Sequence, residues 1–150
     1  MYKVIGVGEH GKYFDEGAYA QVIGYVRSHA LLFGALNIRN YCEAAEEMLQ
    51  NAKRWGKNSG KRVRHSVLSF GYDDPITPIQ AASMADSILA FYEEYQIVYA
   101  VHHNKEGMHI HFVMNQVSLQ GSRYRGQKAD YYAFRQWMQM VTGRIIDLTT

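Results

Sequence analysis

Apolar and polar positions along the 150-residue chain switch between a period of two and a helical period. Tyr2–Val7 alternates loosely and predicts a first strand. Ala18–Leu32 carries Val22, Tyr25, Val26 and His29 at helical spacing and predicts a helix, weakened only by Gly24. Asn40–Trp55 predicts a second helix, with Ala44, Ala45, Met48, Leu49 and Ala52 on one stripe and charges elsewhere. Val63–Phe70 returns to strand character. Thr77-Pro78-Ile79-Gln80 is the strongest helix start: a capping threonine, proline at the first helical position and glutamine to close a capping box. That helix extends to about Tyr95. Two apolar runs, Ile97–Val101 and Met108–Val117, follow as strands, and Tyr131–Thr142 as a last helix. Strands interleaved with helices, with one antiparallel hairpin, predict an α+β fold: an antiparallel sheet with helices packed mainly on one face, in one domain over residues 1–150.

Histidines sit on that hairpin. His109 and His111 flank Ile110, so on a strand they project from one face about 7 Å apart. His102 ends the preceding run, and His103–Gly107 between the runs has hairpin-loop length and chemistry. Antiparallel pairing brings the third imidazole back beside the other two. Three neutral imidazoles converging on one point form a divalent-metal site with open coordination positions. The sequence therefore places a candidate metal centre on the open face of the sheet, with Val113 and Asn115 beside it. Met108, Ile110, Phe112 and Met114 face the helices.

Net charge is only +2, so its distribution says more than its sum. Lys53, Arg54, Lys57, Lys61, Arg62 and Arg64 crowd six of the sixteen basic residues into one acid-free stretch, and Arg123, Arg125 and Lys128 form a second group. Such clusters can neutralise a phosphate backbone. The single cysteine, Cys42, excludes an internal disulfide framework and suits a reducing compartment. No apolar stretch approaches the roughly 18 residues of a membrane span, so a cytoplasmic location is expected.

His102, then His109-Ile110-His111-Phe112-Val113-Met114-Asn115, resembles the metal motif of the relaxase/mobilisation nucleases, members of the HUH endonucleases. His65-Ser66-Val67-Leu68-Ser69-Phe70 before the Thr77-Pro78 helix is similar to that family's second motif, and Tyr25-Val26 and the following helix resemble its nucleophile region. The resemblance implies a palm-like sheet and a single-stranded DNA substrate cut at an origin of transfer. It also implies a Mg²⁺ or Mn²⁺ ion on His102, His109 and His111, and a tyrosine that attacks phosphorus to leave a 5′-phosphotyrosyl bond. Tyr25 occupies the nucleophile's position; Tyr19 and Tyr132 are the alternatives. The setting implied is mobilisation of a plasmid or integrative element, with accessory mobilisation proteins as partners and no membrane. On this reading His65, Ser69 and Asn115 contact DNA near the cleaved phosphate, with Lys57, Lys61, Arg62, Arg64, Arg123 and Arg125 along the backbone. The family usually has an acid two residues after the first motif histidine, orienting a ligand. Here that position is Asn104, and Glu106 is the nearest substitute.

Three rivals compete with this reading. A tyrosine transposase of the HUH type would use a C-terminal helix tyrosine, which suits Tyr132 with Gln136, but its histidine pair lies early in the chain. A phosphoester hydrolase with alternating histidines needs a third where Val113 stands. A DNA-binding accessory module would need no catalysis at all.

Overall fold

The computed structural model describes residues 2–7 and 13–149. Six strands and four helices appear in the order β1 (Tyr2–Val7), α1 (Ala18–Arg27), β2 (Leu32–Leu36), α2 (Ala44–Arg54), β3 (Val63–Ser69), α3 (Pro78–Leu89), β4 (Ile97–Asn104), β5 (Gly107–Asn115), α4 (Lys128–Thr142) and β6 (Ile146–Thr149). The strands form one sheet ordered β2-β4-β5-β3-β1-β6. All pairings are antiparallel except that of β1 with the edge strand β6. The fold is α+β with an antiparallel core, as the sequence predicts.

The central hairpin explains the layering. Along β5 successive side chains alternate faces, so Met108, Ile110, Phe112 and Met114 enter one core with α3 and α4. That core also holds Leu68, Ile97, Tyr99 and Val101 from the flanking strands and Phe134 and Met138 from α4. Full burial of a side chain such as Ile110 contributes about 1.5–3 kcal/mol. The opposite face is fuller than predicted. Val63, Val98, Ala100 and Val113 pack under α1 and α2, against Val22, Ile23, Val26, Met48 and Ala52. Helices therefore lie on both faces, because the stripes of α1 and α2 need an apolar partner and the small and β-branched residues of the sheet supply one. On this face His65 is buried, while His102, His109 and His111 are half-buried at the edge of that packing.

Two local differences from the sequence pattern have physical causes. The first helix stops at Arg27 instead of reaching Leu32. Ser28 turns extended and His29 takes a left-handed φ of 62°, which releases the chain into the edge strand β2. In β2, Gly34 lies under the Tyr99 ring, where an added Cβ would come within 2.4 Å of it. The second helix begins later than Asn40, after a 3₁₀ turn at Tyr41–Glu43. The start of α3 forms as predicted, with a complete capping box between Thr77 and Gln80 and Pro78 in the first turn.

Candidate active site

β4 and β5 are joined by a two-residue turn, Lys105–Glu106, tighter than the predicted five-residue loop. This register sets His102 directly opposite His109, and Ala100 opposite His111. On the other side β3 places Ser69 opposite His109, Val67 opposite His111 and His65 opposite Val113. One sheet face thus gathers His65, Ser69, His102, His109 and His111. The predicted juxtaposition of the three motif histidines on one hairpin face is what the strands produce.

Their rings are tied into hydrogen bonds. His102 directs Nε2 at the Val26 carbonyl near the end of α1, and because a carbonyl only accepts, Nε2 carries the hydrogen. His109 Nδ1 lies 3.0 Å from Ser69 Oγ, and its Nε2 lies 3.3 Å from Asn104 Oδ1. A consistent assignment has Ser69 donating to Nδ1 and Nε2–H donating to Asn104, which leaves no lone pair on that ring. His111 Nδ1 is 2.9 Å from His65 Nε2, and His65 Nδ1 is 2.9 Å from Tyr13 Oη. The His102 and His111 ring centroids are 4.7 Å apart, those of His65 and His111 5.2 Å.

Burial keeps His65, His109 and His111 neutral. It pushes His111 down to about 3, helped by the nearby His65, His102 and His109, and pushes His65 down to about 4. Burial also lowers His109, against the opposing pull of the Glu106 carboxylate. Neutral imidazoles are the right donors for a cation, yet their arrangement does not fit one. Among the described residues no three His, Cys, Asp or Glu side chains are gathered to hold a metal ion. The lone pair of His102 is left on Nδ1, and His109 is turned to Asn104 and Ser69. Asn104 does hold a histidine, as the acid at its position was expected to, and its Oδ1 also accepts from the Glu106 amide.

Tyr25 stands beside this cluster. Its ring, 68% exposed, meets His65 and His111 edge-on at centroid distances of 6.3 and 6.4 Å. Neither alternative tyrosine has that position. Tyr19 is 1% exposed, and burial raises its pKa despite the adjacent Arg62 cation. Tyr132 lies on α4, which packs on the opposite face of the sheet through Phe134 and Met138.

Several residues expected to contact DNA are instead structural. His65 is buried, with both ring nitrogens bonded within the protein. Asn115 is fully buried and donates to the Met48 carbonyl and to Gln96 Oε1. Arg64 projects to the α3–α4 face, where its guanidinium sits among the rings of Tyr92, Tyr124, Tyr131 and Phe134 at 5.0–5.8 Å and donates to Tyr92 Oη. Arg62 is buried, its Nε on the Gly60 carbonyl. Arg123 donates to the carbonyls of Lys57, Ser59 and Lys61, and Lys57 Nζ to that of Gly121. These bonds fasten the basic loop to the segment after β5. Lys61 is half-buried; Lys57 and Arg125 are exposed and remain open to a phosphate backbone. Sequence reasoning missed Tyr13 and the Val26 carbonyl. Tyr13 lies in an aperiodic polar stretch, and a carbonyl has no sequence signature.

Tyr25 and the histidine hairpin thus lie side by side on one face of the sheet. Residues 25–144 match the family model Relaxase: MobA/VirD2-like, nuclease domain. The chain belongs to the relaxase family. The match begins at Tyr25 and spans β2 to the end of α4, so nucleophile candidate, second motif and histidine hairpin all lie inside it. No curated protein matches this relaxase domain. Among its described residues no helix is long and apolar enough to cross a membrane.

Proposed function

We propose that this relaxase nuclease domain cuts and rejoins one DNA strand by transesterification on Tyr25. The observation that carries the reading is the exposed phenol edge-on to the His65–His111 pair. In the proposed step the Tyr25 oxygen bonds to phosphorus in line with the bond to the 3′ oxygen, which breaks. The phenol proton leaves to a neighbouring acceptor, and the departing 3′ oxygen takes one from solvent. The products are a 5′-phosphotyrosyl enzyme and a free 3′-hydroxyl. Because one ester replaces another, attack by a 3′-hydroxyl on the same phosphorus reseals the strand.

A phenol with a pKa near 10 is a weak nucleophile at neutral pH, so position must supply much of the rate. Well-oriented intramolecular attack is worth about 7–11 kcal/mol of barrier. The neutral rings help, since an imidazole can accept the phenol's hydrogen bond. Family resemblance also carries a divalent ion, Mg²⁺ or Mn²⁺. His102, His109 and His111 would have to regroup to hold it, and the steps above do without it.

The substrate in this reading is single-stranded DNA at an origin of transfer of a plasmid or integrative element, with accessory mobilisation proteins loading it. Lys57 and Arg125 are exposed cations of the two basic groups and can meet its phosphates. The test is to incubate the protein with single-stranded oligonucleotides and Mn²⁺, digest it and sequence any nucleotide-bearing peptide. A tyrosyl adduct at Tyr25, lost in Tyr25→Phe, supports the reading. DNA binding without any adduct points to an accessory module, and cleavage without an adduct to a hydrolase.

A further inference from the structure

His65 is 3% exposed, so it cannot reach a nucleic acid, yet a polar ring in an apolar layer needs a reason. Its two nitrogens have one neighbour each: Tyr13 Oη at 2.9 Å from Nδ1 and His111 Nδ1 at 2.9 Å from Nε2. Tyr13 is itself buried at 6% and its ring stacks on His65 with planes 25° apart. The three groups form a line running from the interior to His111 at the site.

Hydrogens along this line must follow one of two orders. In the first, Tyr13 donates to His65 Nδ1 and His65 Nε2–H donates to His111 Nδ1, so His111 carries its hydrogen on Nε2. In the second, His111 Nδ1–H donates to His65 Nε2 and His65 Nδ1–H donates to Tyr13 Oη, so His111 keeps a lone pair on Nε2. Which nitrogen of an imidazole is protonated is set by the bond that the other makes. We propose that His65, backed by Tyr13, is a positioning residue that holds His111 in the second order, presenting Nε2 of His111 as an acceptor beside Tyr25. The inference rests on the reading of Tyr25 as the nucleophile, because an acceptor there receives the phenol's hydrogen bond. A phenol oxygen can accept as well as donate, so Tyr13 can take the hydrogen of His65 Nδ1 in this order. His111 gains a fixed ring plane and a fixed tautomer from a group that never touches DNA.

The experiment is a long-range ¹H–¹⁵N correlation spectrum of the histidine rings in the full metal-free chain, for wild type, His65→Phe and His65→Gln. In wild type His111 is expected as the Nδ1–H tautomer alone. His65→Phe fills the space without an acceptor, and His111 spreads over both tautomers. His65→Gln restores the wild-type pattern, since its Oε1 accepts from His111 and its amide donates to Tyr13. Covalent adduct formation follows the same order, falling about 100-fold in Phe and recovering in Gln. An Nε2–H tautomer in wild type, or an unchanged His111 spectrum in a folded His65→Phe, overturns the proposal. Should His65→Phe lose its dispersed spectrum, the wild-type tautomer and the Gln variant still decide. Wild type that shows the expected tautomer but forms no adduct upholds the positioning role and counts against the nuclease reading alone.

Discussion

Lowering the pH from 7 to 5 should destabilise this domain through His65, by an amount the structure sets. In the unfolded chain this histidine titrates near its ordinary 6.5, whereas burial holds it near 4 in the fold. Below pH 6.5 the unfolded state therefore binds a proton that the folded state refuses. Stability is full above about 6.5 and is lost as pH falls toward 4. With those two values the linkage relation gives a loss of about 2 kcal/mol at pH 5 and about 3 kcal/mol at pH 4, relative to neutral pH. The group is almost fully buried, so solvent screening removes little of this. Urea denaturation at pH 7, 6 and 5 measures it, and stopping at pH 5 limits the contribution of carboxylates. With a urea slope of 1–3 kcal/mol/M, His65 alone should lower the wild-type midpoint by about 1 M, and the similarly depressed His111 adds to that fall. His65→Gln removes one titrating group, so its midpoint should fall by clearly less over the same range. If the Gln variant loses stability with pH as steeply as wild type, His65 is charged at little penalty in the fold and the account of its burial is wrong.

Other substitutions separate chemistry from architecture. Tyr25→Phe should abolish the DNA adduct and leave the unfolding free energy within about 0.5 kcal/mol, because the side chain is 68% exposed; an adduct that survives moves the nucleophile elsewhere. Tyr19→Phe should do the reverse, keeping the adduct while losing about 1 kcal/mol as Arg62 forfeits a buried partner, which adduct yield and denaturation together report. Arg64→Ala should lower stability by about 1–3 kcal/mol through lost ring contacts and the Tyr92 bond, with no change in the salt dependence of DNA binding; Arg125→Ala should reduce that salt slope by about 1. Gly34→Ala should cost about 1–3 kcal/mol by driving a methyl group into the Tyr99 ring, and a neutral thermal melt would mean that the edge strand shifts freely.

The contrast between Arg64 and Arg125 shows where the sequence stops being legible. Period-two alternation on β5 correctly assigned Met108, Ile110, Phe112 and Met114 to a helix-packed core and the histidines to the other face. The capping box of α3 was equally readable, since both of its partners lie within four residues. What failed depended on distant partners. Arg64 and His65 are adjacent in a basic-looking run, but strand geometry sends them to opposite faces, one into a cage of rings and the other under α1. Clustered charge predicted phosphate contacts, whereas Arg123 spends its donors on loop carbonyls. Strand β2 was hidden because the helical spacing of α1 runs on into Leu32, and only the left-handed backbone at His29 ends it.

The site owes its position to the same backbone accounting. A helix leaves its last carbonyls without intrahelical donors, and each must find one. At the end of α1 the Ser28 amide takes the Gly24 carbonyl, the Ala30 amide takes that of Arg27, and the Val26 carbonyl is met by His102 Nε2–H from β4. The helix that carries Tyr25 is thus fastened, one residue beyond that tyrosine, by the hairpin that carries the other histidines. Val22 and Ile23 hold its middle against the sheet through apolar contacts. Rotation of α1 about its axis would break that hydrogen bond and expose Val26, so the phenol is confined to the neighbourhood of His65 and His111. Tyr25 and the histidines are held in register by one hydrogen bond and one apolar stripe. Tyr25 therefore stands edge-on to His65 and His111 in the fold itself, where the proposed transesterification would use it.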